Sequence, residues 1–204
     1  MQKILGACAA ICLTTIVSLP ANAADLDGNY SVEGVGQISC QTFTKSRQNA
    51  STDQSASNEY GLFLGFITGY VSAYNRFVDD TFDLTPWQGL ELFARAALQF
   101  CSKNPEQNFF VAVSSVTSSL VDQRLREQSP IVTTKQGDQD ITIYREVIAR
   151  AQRKLKQLDF YQGQADGDYG PQTISAIKAF QQSIKTLEPN GLPDQATLLV
   201  LFAQ

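Results

Sequence analysis

Asp166-Gly167-Asp168-Tyr169-Gly170-Pro171-Gln172-Thr173, running into the apolar-periodic residues 174–181, decides how the last third of this 204-residue chain folds. Asp-Gly forms a tight turn because glycine takes a positive φ without a Cβ clash. Gly170-Pro171 then sets a helix N-cap beside a residue whose φ is already helical. One short segment therefore turns the chain and restarts a helix. Before it, Val147, Ile148, Ala151, Leu155 and Leu158 share one helical face, while Arg145, Arg150, Arg153, Lys154 and Lys156 lie elsewhere, which predicts a first helix over 141–158 with a basic exterior. After it, a second helix runs from Pro171 to about residue 184, burying Ile174, Ile177 and Phe180. A third starts at Asp194 as N-cap and buries Leu198, Leu201 and Phe202.

The ordered pattern Ala151-Gln152, Leu155, Leu158, Phe160-Tyr161, Gly163, Asp166-Gly167, Tyr169-Gly170-Pro171, Thr173, Ala176-Ile177, Phe180-Gln181, Gly191, Asp194 and Thr197-Leu198 resembles the three-helix peptidoglycan-binding domain often appended to cell-wall hydrolases. The resemblance spans residues 141–204 and implies non-catalytic binding to bacterial cell wall. A groove for such a ligand combines aromatic surfaces with hydrogen-bond donors and cations, and Gln152, Arg153, Phe160, Tyr161 and Tyr169 are the candidates. Phe160 and Tyr169 serve equally well as core residues. Asp166, Gly167, Gly170, Pro171 and Thr173 read as the structural turn. Asp166 and Asp168 lack the loop and closing Glu of a calcium site, so no metal is expected there. The ligand is then expected beside the turn, around Tyr161, Tyr169 and the basic first helix.

Upstream, residues 24–128 read as a helical domain. A helix begins near Cys40, 48–57 is a Ser/Asn/Gln-rich loop, and 58–77 reads as a buried core helix. Gly61, Gly65, Gly69 and Ala73 recur there at four-residue steps, a row of small residues that would let another element pack close. The apolar run 61–74 is too short to span a membrane. Thr85-Pro86-Trp87-Gln88 has the form of a capping box opening a helix over 86–103, and Asn104-Pro105-Glu106-Gln107 repeats the signal for a helix to about residue 126. The β-branched run 111–121 competes with that second helix. Residues 129–140, within a longer polar stretch from 124, read as an interdomain linker, with 131–133 as a short strand lacking a partner. The Cys-Gln-x-Phe start, the Gly-Tyr-Val-Ser-Ala helix and the Cys-x-x-Asn-Pro-Glu junction resemble small periplasmic single-disulfide helical proteins of the HdeA acid-chaperone and Tai immunity types.

Residues 1–23 carry Lys3, an apolar run, Pro20 and Ala21-Asn22-Ala23, the layout of a secretory signal peptide cleaved after Ala23, which implies a periplasmic or secreted protein. Cys8 and Cys12 fall inside it. Cys40 and Cys101 remain, and in an oxidising compartment a lone pair reads as one disulfide, with two catalytic thiols as the rival. Residues 24–128 hold twelve acidic and seven basic side chains, and 129–204 hold eight of each. The formal net charge of −4 disfavours nucleic acid as a partner.

The chain contains no His, which removes Ser-His-Asp and Cys-His machinery and the His-bearing zinc centres of wall amidases. A carboxylate-only glycosidase, with Glu59 or Glu91 as acid and Asp79, Asp80 or Asp83 as partner, is the remaining enzymatic reading, though these are more simply solvated charges. The expectation is an all-α, exported, non-catalytic protein without a cofactor. Its C-terminal module binds peptidoglycan and its N-terminal helical domain meets a protein partner. The alternatives are an immunity protein or acid-stress chaperone with the wall module as anchor, or an accessory part of a wall hydrolase.

Overall fold

A computed structural model describes residues 24–204; the expected signal peptide and its cleavage site lie outside the described residues. The chain divides between Val32 and Glu33. Residues 24–32 contain a turn in which an Asp25 carboxylate oxygen accepts the backbone N–H groups of Asp27 and Asn29 at 3.0 and 2.7 Å.

From Glu33 onward the chain is mostly helical and builds two hydrophobic cores. The first gathers four helices, α1 (Cys40–Asn49), α2 (Gln54–Phe77), α3 (Leu90–Lys103) and α4 (Phe109–Leu120). Ser39 caps α1 by accepting the Thr42 N–H, and a disulfide joins Cys40 to Cys101 near the end of α3. Phe43, Phe63 and Phe109, one from each of α1, α2 and α4, meet at centroid separations of 4.5–5.2 Å at the centre. The β-branched run in α4 is helical after all. Asn108 caps it, and Ala112, Val113, Val116 and Thr117 are buried at helical spacing, so burial of an apolar face overrides a weak local preference.

Three expectations are corrected here. The loop expected over 48–57 shrinks to 50–53, because α1 continues to Asn49 and the Asp53 carboxylate caps α2 through Ser55 and Ala56. Thr85-Pro86-Trp87-Gln88 is not a capping box. Gly89 precedes α3 without a side-chain cap, and the Gln88 amide instead reaches Gln123 at 3.0 Å. In α2 only Phe63 and Ile67 are buried, and a Cβ added at Gly61, Gly65 or Gly69 would meet nothing within 4 Å. The row of small residues therefore faces outward.

The fold is also not all-α. Strand β1 (Ile131–Gln136) pairs antiparallel with β2 (Gln139–Tyr144) in the register Ile131↔Tyr144 to Gln136↔Gln139, closed by Gly137 at φ +57°. Residues 141–144 alternate, Ile143 buried and Thr142 exposed, which is the period of a strand and not of the helix expected there. The hairpin delivers the chain into α5 (Arg145–Gln157), whose first N–H groups are taken by the Pro130 carbonyl and the Ser129 hydroxyl. Helices α6 (Pro171–Ser183) and α7 (Gln195–Phe202) start close to where the turn and the Asp194 cap predict. Val147, Ile148, Leu155, Ile177, Phe180, Leu198 and Leu201 form the second core, with Val132, Ile141 and Ile143 of the hairpin closing it.

The two cores are fastened together. Trp87 leans on Phe202 at 5.5 Å, Phe82 meets Tyr144 edge-on at 6.0 Å, and the Arg150 guanidinium donates to the carbonyls of Gln123 and Arg124. Burial, together with the Asp83 carboxylate beside it, raises the pKa of the Tyr144 hydroxyl above its ordinary value.

Candidate functional site

The Asp166 turn is held from inside. Gln152 on α5 is fully buried; its carbonyl oxygen accepts the Gly167 N–H at 2.8 Å, and its amide nitrogen lies 2.9 Å from the Thr173 hydroxyl and 3.0 Å from the Asp168 carbonyl. Thr173 in turn donates to that same carbonyl at 2.8 Å. Gly167 sits at φ +77°, and a Cβ there would approach the Arg145 carbonyl oxygen to 2.5 Å, so both the backbone and the space exclude a side chain. Asp166 accepts the Asp168 N–H and the Gln152 amide, with the Arg145 guanidinium near, and these hold its carboxyl below the usual carboxylate range.

The same device occurs a second time. Gln181 on α6, also fully buried, accepts the Gly191 N–H at 2.7 Å and lies 2.8 Å from the Thr197 hydroxyl and 3.1 Å from the Leu192 carbonyl. Gly191 has φ +81°, and Asn190 stands where Asp166 stands in the first turn. The chain thus repeats Gln, then Asx-Gly-x5-Thr. The repeat is readable in the sequence as Gln152 with Asp166-Gly167…Thr173 and Gln181 with Asn190-Gly191…Thr197. Tyr169 ties the two turns together by donating to the Gly191 carbonyl at 2.8 Å, and burial pushes its pKa up to about 12.

The five candidate ligand residues do not converge. Gln152 is spent on the turn. Arg153 is exposed on α5, 2.6 Å from the Glu146 carboxylate. Tyr169 lies against the second turn. Phe160 and Tyr161 do meet, along one wall of an open groove of about 560 Å³. Phe160 stacks edge-on against Phe180 at 5.7 Å, and Tyr161 is 5 % exposed and donates to the Gln164 carbonyl, so each offers the groove only an edge.

The floor and rim come from α6 and the adjoining loop: Ala176 and Ala179 leave the space, and Gln162, Gln172 and Ser175 bring amides and a hydroxyl. These residues carry no sequence signal beyond small side chains on one face of α6. Among the described residues no charged side chain lines the groove, so what it offers is hydrogen-bonding groups and apolar surface. Gly163 permits the wall, since a Cβ there would lie 2.5 Å from the Tyr161 hydroxyl and 2.9 Å from the Gln172 side-chain amide oxygen.

Residues 145–201 match the family model of the putative peptidoglycan binding domain. The matched segment covers both glutamine-held turns and the whole groove. No curated protein and no solved structure gives a match to the chain.

Three of the five candidate glycosidase carboxylates, Glu91, Asp80 and Asp83, have partners of their own, Asp83 accepting the Thr85 N–H at 2.9 Å. Glu91 takes the Arg47 guanidinium with both oxygens and the Tyr60 hydroxyl at 3.1 Å, and Asp80 faces Arg124 and Arg126. Among the described residues no helix is long and apolar enough to cross a membrane.

Proposed function

We propose that this protein is an exported, non-catalytic peptidoglycan binder whose groove between Phe160, Tyr161 and α6 takes the ligand, while the N-terminal helical part faces a protein partner. The family match over 145–201 carries this reading. The groove supports it in detail. Its aromatic edges and two alanines suit methyl-bearing N-acetyl and alanyl groups, and its amides and hydroxyl suit the neighbouring amide bonds. Among the described residues no acid, base or cation lines it, which fits binding without turnover. On the N-terminal side, Leu62 and Phe77 of α2 are 62 % and 78 % exposed, and they supply the apolar contacts that a protein partner would cover.

Sedimentation with purified sacculi tests the assignment. The whole protein is expected to pellet, and Ser175→Trp, which fills the groove from an exposed position, is expected to leave most of it in the supernatant. Pelleting that is unaffected by Ser175→Trp overturns the groove, and failure of the unaltered protein to pellet overturns the reading altogether.

A further inference from the structure

The junction between the two cores holds a second, half-open space, remote in character from the groove on α6. It has a volume of about 460 Å³, within the range of small-ligand sites (about 300–1,000 Å³), and its lining is largely apolar. Phe93 and Val116, both nearly fully buried, form its floor from the first core. Trp87 and Phe202, which belong to the second core, close one side, and the exposed Leu199 stands at its mouth.

Among the described residues, one cation of the lining exceeds its local partners. Arg95 has a side chain 67 % exposed and approaches Glu91 only to 3.8 Å, while Glu91 is already neutralised by the two-pronged contact from Arg47. Gln99 and Gln123 flank the opening with further amide donors. An apolar chamber with a surplus guanidinium and amides at its entrance is complementary to one kind of molecule: a long apolar body ending in an anion.

We propose that the junction chamber binds a free single-chain carboxylate amphiphile, with its hydrocarbon chain between Trp87, Phe93 and Val116 and its carboxylate on Arg95. The site goes beyond peptidoglycan binding, since α3 and α4 build half of it from outside the matched segment. Because elements of both cores form its walls, occupancy adds apolar contact across the junction and stabilises the way the two cores are fastened.

Trp87 is the only tryptophan of the chain, so its emission reports the chamber directly. The whole protein is titrated with decanoate kept monomeric, with decanol, and with phosphatidylglycerol vesicles. Decanoate is expected to give a saturable blue shift. Leu199→Glu, at an exposed position, and Ala96→Phe, which fills the chamber, are each expected to weaken it at least about tenfold while far-UV circular dichroism stays unchanged. Arg95→Gln is expected to weaken decanoate about tenfold, the worth of one charge-assisted contact, and to leave decanol unaltered. A flat titration, a shift indifferent to Leu199→Glu, decanol binding as tightly as decanoate, or a response to vesicles alone would each overturn the proposal.

Discussion

Two buried glutamines do for this protein what a salt bridge or a metal does in other small modules. Each satisfies a glycine N–H that points inward at a positive φ and would otherwise be stranded. Truncating one leaves buried donors and acceptors without partners, at a cost of about 1–3 kcal/mol for each group. Gln152→Ala and Gln181→Ala are therefore expected to destabilise by similar amounts, at least about 2 kcal/mol each, read as a lowered midpoint in urea unfolding. The acid branch separates the two turns. Asp166 has its pKa lowered in the fold, so it contributes stability above its ordinary value of 3.8 that is lost as pH falls through the lower folded value. Asn190 shows that an uncharged side chain suits the same geometry. Asp166→Asn is expected to keep the fold at neutral pH and to flatten thermal stability between pH 5 and the acid limit. An unchanged acid slope would show that this carboxylate contributes nothing.

At the scale of elements, α2 corrects the reading of a small-residue row. Four-residue spacing puts Gly61, Gly65 and Gly69 on one face, but spacing alone does not say which way that face points. Phe63 and Ile67 bury the other side, since large apolar groups gain far more from burial than glycines do. The glycines are left as exposed helix interior, where they carry a backbone-entropy cost without a packing return. Gly65→Ala is thus expected to stabilise the protein by about 0.5–1 kcal/mol. Calorimetry that finds it destabilising would mean that α2 is covered in solution. The disulfide acts on the same core, closing a sequence separation of 61 residues between α1 and α3. Reduction is expected to cost up to about 4 kcal/mol through the unfolded chain.

For the whole molecule, the C-terminal module is not bounded where its helical pattern begins. Its core is closed by the hairpin, its first helix is capped by Ser129 and Pro130, and Trp87, from the segment just before α3, packs onto it against Phe202. A fragment of residues 129–204 is accordingly expected to melt well above one of residues 141–204, and both below the whole protein, in thermal circular dichroism. Equal melting of the two fragments would make the hairpin an ornament.

Residue chemistry set much of this in advance. The turn at Asp166-Gly167, the helix starts at Pro171 and Asp194 and the helical character of both halves follow from short-range rules about φ, caps and periodicity, while the pairing of Cys40 with Cys101 follows from the two cysteines left beyond the expected leader. The matched segment is legible for the same reason, as an ordered pattern of turn and core residues. What those rules do not reach is direction and partnership. Ile131 to Thr133 found its partner only when residues 141–144 proved to alternate as a strand. Gln152 reads in the sequence as a polar side chain beside the turn, and only the folded chain surrounds it with the Gly167 N–H, the Thr173 hydroxyl and the Asp168 carbonyl. The Asp166 stretch and the residues around it therefore specify the module, whereas the groove on α6 and the chamber at the core junction exist only because distant side chains stop short of filling the same space.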